Sequence, residues 1–177
     1  MIEQVVEILK YTVPGLLAIG AAYTVFAMQI KREEVREQQE LRLKAFSTVV
    51  PLRLQAYERA ILYLERIHPV SLLQRNEPEK MTASQLKLQL TFDVQEEYDH
   101  NVVQQLYVSD AAWGELKRCR EEVLALIQQA AEEAGERASG IEMSRVLLRL
   151  VNSQETSPVK SGIDAVKRDL TTLFPNR

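Results

Sequence analysis

From Tyr11 to Ile30 the chain reads YTVPGLLAIGAAYTVFAMQI, twenty residues without a charge, and no other feature restricts the fold as tightly. At about 1.5 Å of rise per residue a helix of this length covers roughly 30 Å, the thickness of a bilayer's hydrocarbon core. Two other readings compete with a membrane span. A helix apolar on every side could be buried in a soluble domain, but a chain of 177 residues can hardly supply enough core to surround it. A secretory signal peptide wants a positive n-region, a shorter apolar run and a small-residue cleavage site. Residues 1–10 instead carry Glu3 and Glu7 against Lys10. The run therefore reads as an uncleaved transmembrane helix, with the lipid bilayer as its first partner.

Lys and Arg near the ends of a span set its orientation, because basic segments are translocated poorly. Only Lys10 precedes the run, whereas Lys31, Arg32, Arg36, Arg42 and Lys44 follow it. The C-terminal part is thus expected in the cytoplasm and the N-terminus outside. Residues 1–10 suit a short helical lead-in at the interface. Pro14 and Gly15 fall in the first turns of the span, where few backbone bonds are lost. Gly15, Ala18 and Ala22 share a face on which a second helix could approach closely, a weak signal for self-association.

The remaining chain excludes several classes of partner. Of 22 basic and 25 acidic residues, only Lys10, Glu3 and Glu7 precede residue 31, so residues 31–177 are nearly balanced in charge. Their cations are interleaved with acids, which leaves no footprint for nucleic acid. Glu33, Glu34, Glu37 and Glu40 sit among the juxtamembrane cations, and positive-inside anchoring accounts for these more simply than headgroup binding. The single Cys119 excludes an internal disulfide, in keeping with a reducing compartment.

Helical periodicity dominates from residue 31 onward. Residues 31–50 extend the membrane helix as a charged stalk that ends at Pro51. Leu54, Tyr57, Ile61, Leu64 and His68 recur every three or four residues, and Pro69 disfavours helix at His68. A loop then runs to about Lys80, turning at Asn76, Glu77 and Pro78. Thr82 with Gln85 forms a capping box, and Met81 with Leu86 a hydrophobic staple. Beyond them Leu86, Leu88, Leu90, Phe92 and Val94 alternate with polar residues in the manner of a half-buried strand. Helix is nevertheless the better reading, since a lone strand would leave its backbone unpaired. Ser109 caps the next helix, whose stripe runs through Trp113, Leu116, Arg120, Val123, Ile127, Ala130 and Ala134, widened by Cys119, Leu124 and Leu126. Gly135 ends it. Ser139 with Glu142 caps a shorter helix carrying Met143, Val146, Leu147 and Leu150. After the linker NSQETS, Pro158 opens a last helix along Val159, Ile163, Val166, Leu170 and Leu173, which packs either on its own bundle or on a partner.

The chemistry-bearing residues form one suggestive pattern. Glu65 precedes His68, and Glu97 precedes His100, each by three positions on a helix. Two such pairs with two further glutamates describe the carboxylate-bridged di-iron site of ferritin-like bundles. Against this, His68 lies at a helix end beside Pro69, and no two further glutamates occupy identifiable inward positions. Metal binding by Glu65, His68, Glu97 and His100 is therefore the alternative reading, and no metal or cofactor is expected. Cys119 lies on an apolar stripe and reads as a buried thiol. Scattered single glycines form no phosphate loop, and no serine sits in a nucleophile elbow, so no enzymatic activity is expected. Glu96, Glu97, Asp99, His100, Asn101, Gln104 and Gln105 form the densest polar run, a solvated face with a partner surface as its sharper alternative.

The segments LRLQAYERAILYLERIHP and QEEYDHNVVQQLYVSDAAWGELKRCREEV, within residues 52–130, resemble an uncharacterised family of small single-span membrane proteins from Bacteroidota. The resemblance implies a bacterial inner membrane and carries over no activity. The organisation expected is all-α: an interfacial segment at 1–10, a transmembrane helix at 11–30, a juxtamembrane helical stalk at 31–50, a cytoplasmic antiparallel helical bundle at 51–152, and a linker with a C-terminal amphipathic helix at 153–177. The expected role is a membrane-anchored interaction or scaffold protein, such as an accessory subunit of an inner-membrane complex, with a protein partner or further copies of itself held through helices.

Overall fold

The computed structural model describes residues 2–173, and every regular element among them is helical. In chain order these are α1 (Ile2–Ile67), α2 (Pro69–Arg75), a 3₁₀ turn at Pro78–Lys80, α3 (Ala83–Asn101), a second 3₁₀ turn at Val102–Leu106, α4 (Asp110–Ala134), α5 (Gly140–Ser153) and α6 (Pro158–Leu173). The all-α class expected from periodicity is the class observed. The described residues divide into two units at the Val50–Pro51 junction.

The first unit consists of α1 alone. The helix runs on through Pro14 and through Pro51, so no helix break marks the end of the stalk expected at 31–50. A proline inside a helix removes one i→i−4 hydrogen bond, and here the turns on either side carry the helix past it. From Tyr11 to Val49 every residue whose side chain is described is exposed.

The second unit is built around a single hydrophobic core. Its part of α1 contributes Ala56, Tyr57, Ala60, Tyr63, Leu64 and Ile67, all buried. This stripe is rotated from the one expected, because Leu54 is exposed and Ile61 only half-buried. The small Ala56 and Ala60 allow neighbouring helices to approach closely. The stretch 69–80 is not a loop. His68 adopts an extended ψ of 130° and its Nδ1 accepts a hydrogen bond from the Val70 N–H at 3.2 Å, capping α2 with Pro69 at the first turn. Leu72 anchors that short helix in the core.

The strand-like alternation in α3 has a helical explanation. Leu86, Leu90 and Val94, four residues apart, are buried at 0% exposure, whereas Leu88 and Phe92, also four apart, are 68% and 61% exposed. Two apolar faces on opposite sides of one helix produce an alternating sequence.

Both expected capping boxes form. The Gln85 N–H donates to Thr82 Oγ1 at 3.2 Å while the Thr82 N–H donates to Gln85 Oε1 at 2.9 Å. At the start of α5 the Ser139 N–H donates to Glu142 Oε2 at 2.7 Å, and the Glu142 N–H to Ser139 Oγ at 3.3 Å. The two helix starts lie side by side, joined by a lone antiparallel bridge between Thr82 and Ser139. Ala83 N–H donates to the Ala138 carbonyl at 3.0 Å, and Gly140 N–H to the Met81 carbonyl at 2.8 Å. A Cβ at Gly140 would lie 2.3 Å from the Pro78 carbonyl oxygen, so this junction admits only glycine. Gly135, at φ 89°, ends α4 in the backbone region that L side chains avoid. The last helix packs within its own unit, burying Val159, Ala165 and Val166, and its Gly162 backbone sits against Leu64 and Cys119.

Candidate functional site

Glu65, His68, Glu97 and His100 are not brought together as a ligand set. Glu65 and Glu97 line one groove of about 350 Å³ with Arg59, Arg66, Arg75 and Asn101. Glu97 is paired across that groove with Arg66, whose Nη1 lies 2.9 Å from Oε1 and 3.2 Å from Oε2. The His68 imidazole is committed to capping α2, and His100 is exposed on α3. Among the described residues no group of three or more His, Cys, Asp or Glu side chains is placed to hold a metal ion.

The polar run on α3 separates by depth. Glu96, Asp99, His100 and Gln105 are exposed, whereas Asn101 is buried and donates to the Glu97 carbonyl at 2.8 Å. The same unit holds an aromatic cluster of which periodicity singled out only Trp113. Tyr63 and Tyr98 meet edge-on with ring centroids 6.3 Å apart, and Trp113 lies 6.0 Å from Tyr98. The Arg120 guanidinium stacks 4.1 Å over the Tyr98 ring, which explains how a cation occupies the apolar stripe of α4. A cation over an aromatic face gains about 0.5–2 kcal/mol. Burial, above all, raises the Tyr63 hydroxyl pKa, so the residue serves the core as a neutral ring. Cys119 is buried beside it, and desolvation pushes the thiol up to about 12, far from the thiolate that nucleophilic chemistry requires.

A second polar network ties α6 to the rest of the unit. Tyr57 donates to Asp169 Oδ2 at 2.8 Å, and the Ser109 N–H donates to the same oxygen at 3.1 Å. Arg53 donates through Nη2 to the Tyr57 hydroxyl at 3.2 Å and through Nε to the Tyr107 carbonyl at 3.0 Å. Burial of Asp169 opposes its charge, but the hydrogen bonds from Tyr57 and Ser109 together outweigh it and hold the carboxyl below its usual range. The network joins residues 112 and 60 positions apart, a separation at which no local pattern operates.

The outer face of α3 is one of the exposed apolar surfaces of the second unit. Leu88 and Phe92 stand out from it, and with Met81, Gln85, Gln89, Thr91, Gln95 and Lys80 they line a groove of about 770 Å³. Neutral amides around two large apolar side chains can accept an apolar helix or strand without burying an unpaired charge.

The model of a family of unknown function, DUF7935, matches residues 3–173. That span is wider than the two segments that carried the resemblance. Neither the curated proteins nor the solved structures contain a match.

Proposed function

The chain belongs to DUF7935, whose model runs through the apolar run and the helical unit alike, and on that premise we propose that the two act together as a membrane-anchored interaction module. In this reading residues 11–30 cross the bilayer, residues 31–50 carry the chain away from it, and the second unit presents the Leu88–Phe92 face to a protein partner on the cytoplasmic side. One observation carries the reading. The apolar stretch of α1 is long enough to span a membrane and none of it is buried, although the second unit closes a complete core of its own. Exposure of that many large apolar side chains to water is unfavourable at about 25 cal/mol per Å², and a bilayer removes the cost. The basic excess after the run supports an N-out, C-in orientation.

The test is mild-detergent purification of the full chain from native membranes, beside a Leu88→Gln/Phe92→Gln variant. The reading expects a stoichiometric membrane companion that the wild type retains and the variant loses. A chain recovered alone in both preparations would contradict it.

A further inference from the structure

In the sequence, the glutamates that follow the apolar run are interleaved with its cations, but the helix sorts the two. At about 100° per residue, Lys31, Arg32, Arg36 and Arg42 fall on one face of α1. Glu33, Glu34, Glu37 and Glu40 gather on the other face, the two centres about 165° apart. Lys44 alone among these cations falls on the acidic side. Lys31, Arg32 and Arg36 flank Met28 and Val35 on this exposed face. All three are exposed, and none of them pairs with a carboxylate among the described residues. They lie within about 8 Å of one another along the axis. Arg36 lies roughly 9 Å along the axis from Ile30, and the headgroup layer is roughly 5–8 Å deep, so all three cations reach it with their long side chains.

We propose that the Lys31, Arg32 and Arg36 face of α1 is a binding site for anionic phospholipid headgroups in the leaflet where the apolar run ends. The proposal rests on the membrane-anchored reading. Three unpaired cations around two apolar side chains match a lipid that carries a phosphate charge above an acyl chain, and the neighbouring acids are centred on the other side of the helix, with Glu34 and Glu40 at the edges of the cationic face. The site is one-sided, so a bound anionic lipid draws that face toward the membrane surface and fixes the rotation of α1 about its own axis.

The test uses the full chain reconstituted into phosphatidylcholine bilayers holding a trace of either spin-labelled phosphatidylglycerol or spin-labelled phosphatidylcholine. Electron spin resonance then reads the fraction of each label immobilised by the protein. The expected result is a larger fraction for phosphatidylglycerol, equalised in Lys31→Gln/Arg32→Gln/Arg36→Gln and kept or increased in Glu33→Gln/Glu34→Gln/Glu37→Gln/Glu40→Gln. Equal fractions in the wild type overturn the proposal, as does a triple variant that keeps the preference. Equal fractions together with oligomers that both variants dissociate would assign the face to a second copy, again overturning it. A chain that fails to enter the bilayers contradicts the anchor itself, whereas one that enters and shows no preference removes the headgroup site only.

Discussion

Asp169 shows how much one side chain holds in place. Its carboxylate receives two hydrogen bonds, one from Tyr57 and one from the Ser109 backbone, and its pKa is lowered relative to an ordinary carboxyl. Because the folded value is the lower one, the stability it contributes is fully present above the unfolded pKa of about 3.9. That contribution is lost as the pH falls through the folded value. Asp169→Asn is expected to cost about 1 kcal/mol at neutral pH, a figure reduced for the group's partial exposure. The variant should also show a shallower loss of stability below about pH 4, checked by urea unfolding across pH. Gly140→Ala is the harsher change, since its Cβ would meet backbone oxygen at 2.3 Å. Forced overpacking typically costs about 1–3 kcal/mol, and chemical denaturation should place this variant in or above that range. Neither role was legible beforehand. Asp169 is one of two carboxylates on an amphipathic helix until folding brings it to Tyr57, and Gly140 is a scattered glycine until Pro78 lies against it.

At the scale of elements, what could be read in advance was what local chemistry decides. Thr82, Ser109 and Ser139 cap helices where expected, and Gly135 ends one, because a cap satisfies backbone groups within three or four residues of itself. Helix α2 was missed because seven residues carry too little periodicity to register. Burial of Leu72 and a histidine cap sustain it instead. Pro51 was read as a break because proline costs a hydrogen bond, and the helix accepts that cost. The alternation in α3 was legible as an anomaly, and two apolar faces account for it. This two-sidedness makes an element-level prediction. Leu86→Ala should destabilise the protein by about 2–5 kcal/mol through loss of core packing, and Leu88→Ala by less than about 0.5 kcal/mol. Thermal unfolding of the pair checks it, and similar losses for both would mean that the outer face is packed. A parallel expectation holds for α6. Gly162→Val would push into Leu64, whose Cδ2 already lies 3.1 Å from a notional Cβ, and should cost about 1–3 kcal/mol, read as faster hydrogen exchange in α6.

For the whole molecule, the division at Pro51 sets two different solutions to the same problem of apolar surface. Residues beyond it bury the inner faces of their helices in a shared core. The residues before it bury none whose side chains are described, and the proposed anchor would place the apolar run among them in a bilayer. Length and absence of charge made that segment visible in the sequence. The sorting of cations and acids onto different faces of the stalk is legible once the segment is placed on a helix, because residues adjacent in sequence lie about 100° apart there. The long-range networks through Asp169 and around Tyr98 were hidden, since each depends on which helices become neighbours. The central claim is the anchor, and the most direct measurement is an alkaline carbonate wash of membranes from cells expressing the full chain, beside a Leu17→Asp/Phe26→Asp variant. The account predicts that the wild-type chain stays in the washed membrane pellet and the variant is released. Wild-type chain in the supernatant would contradict it.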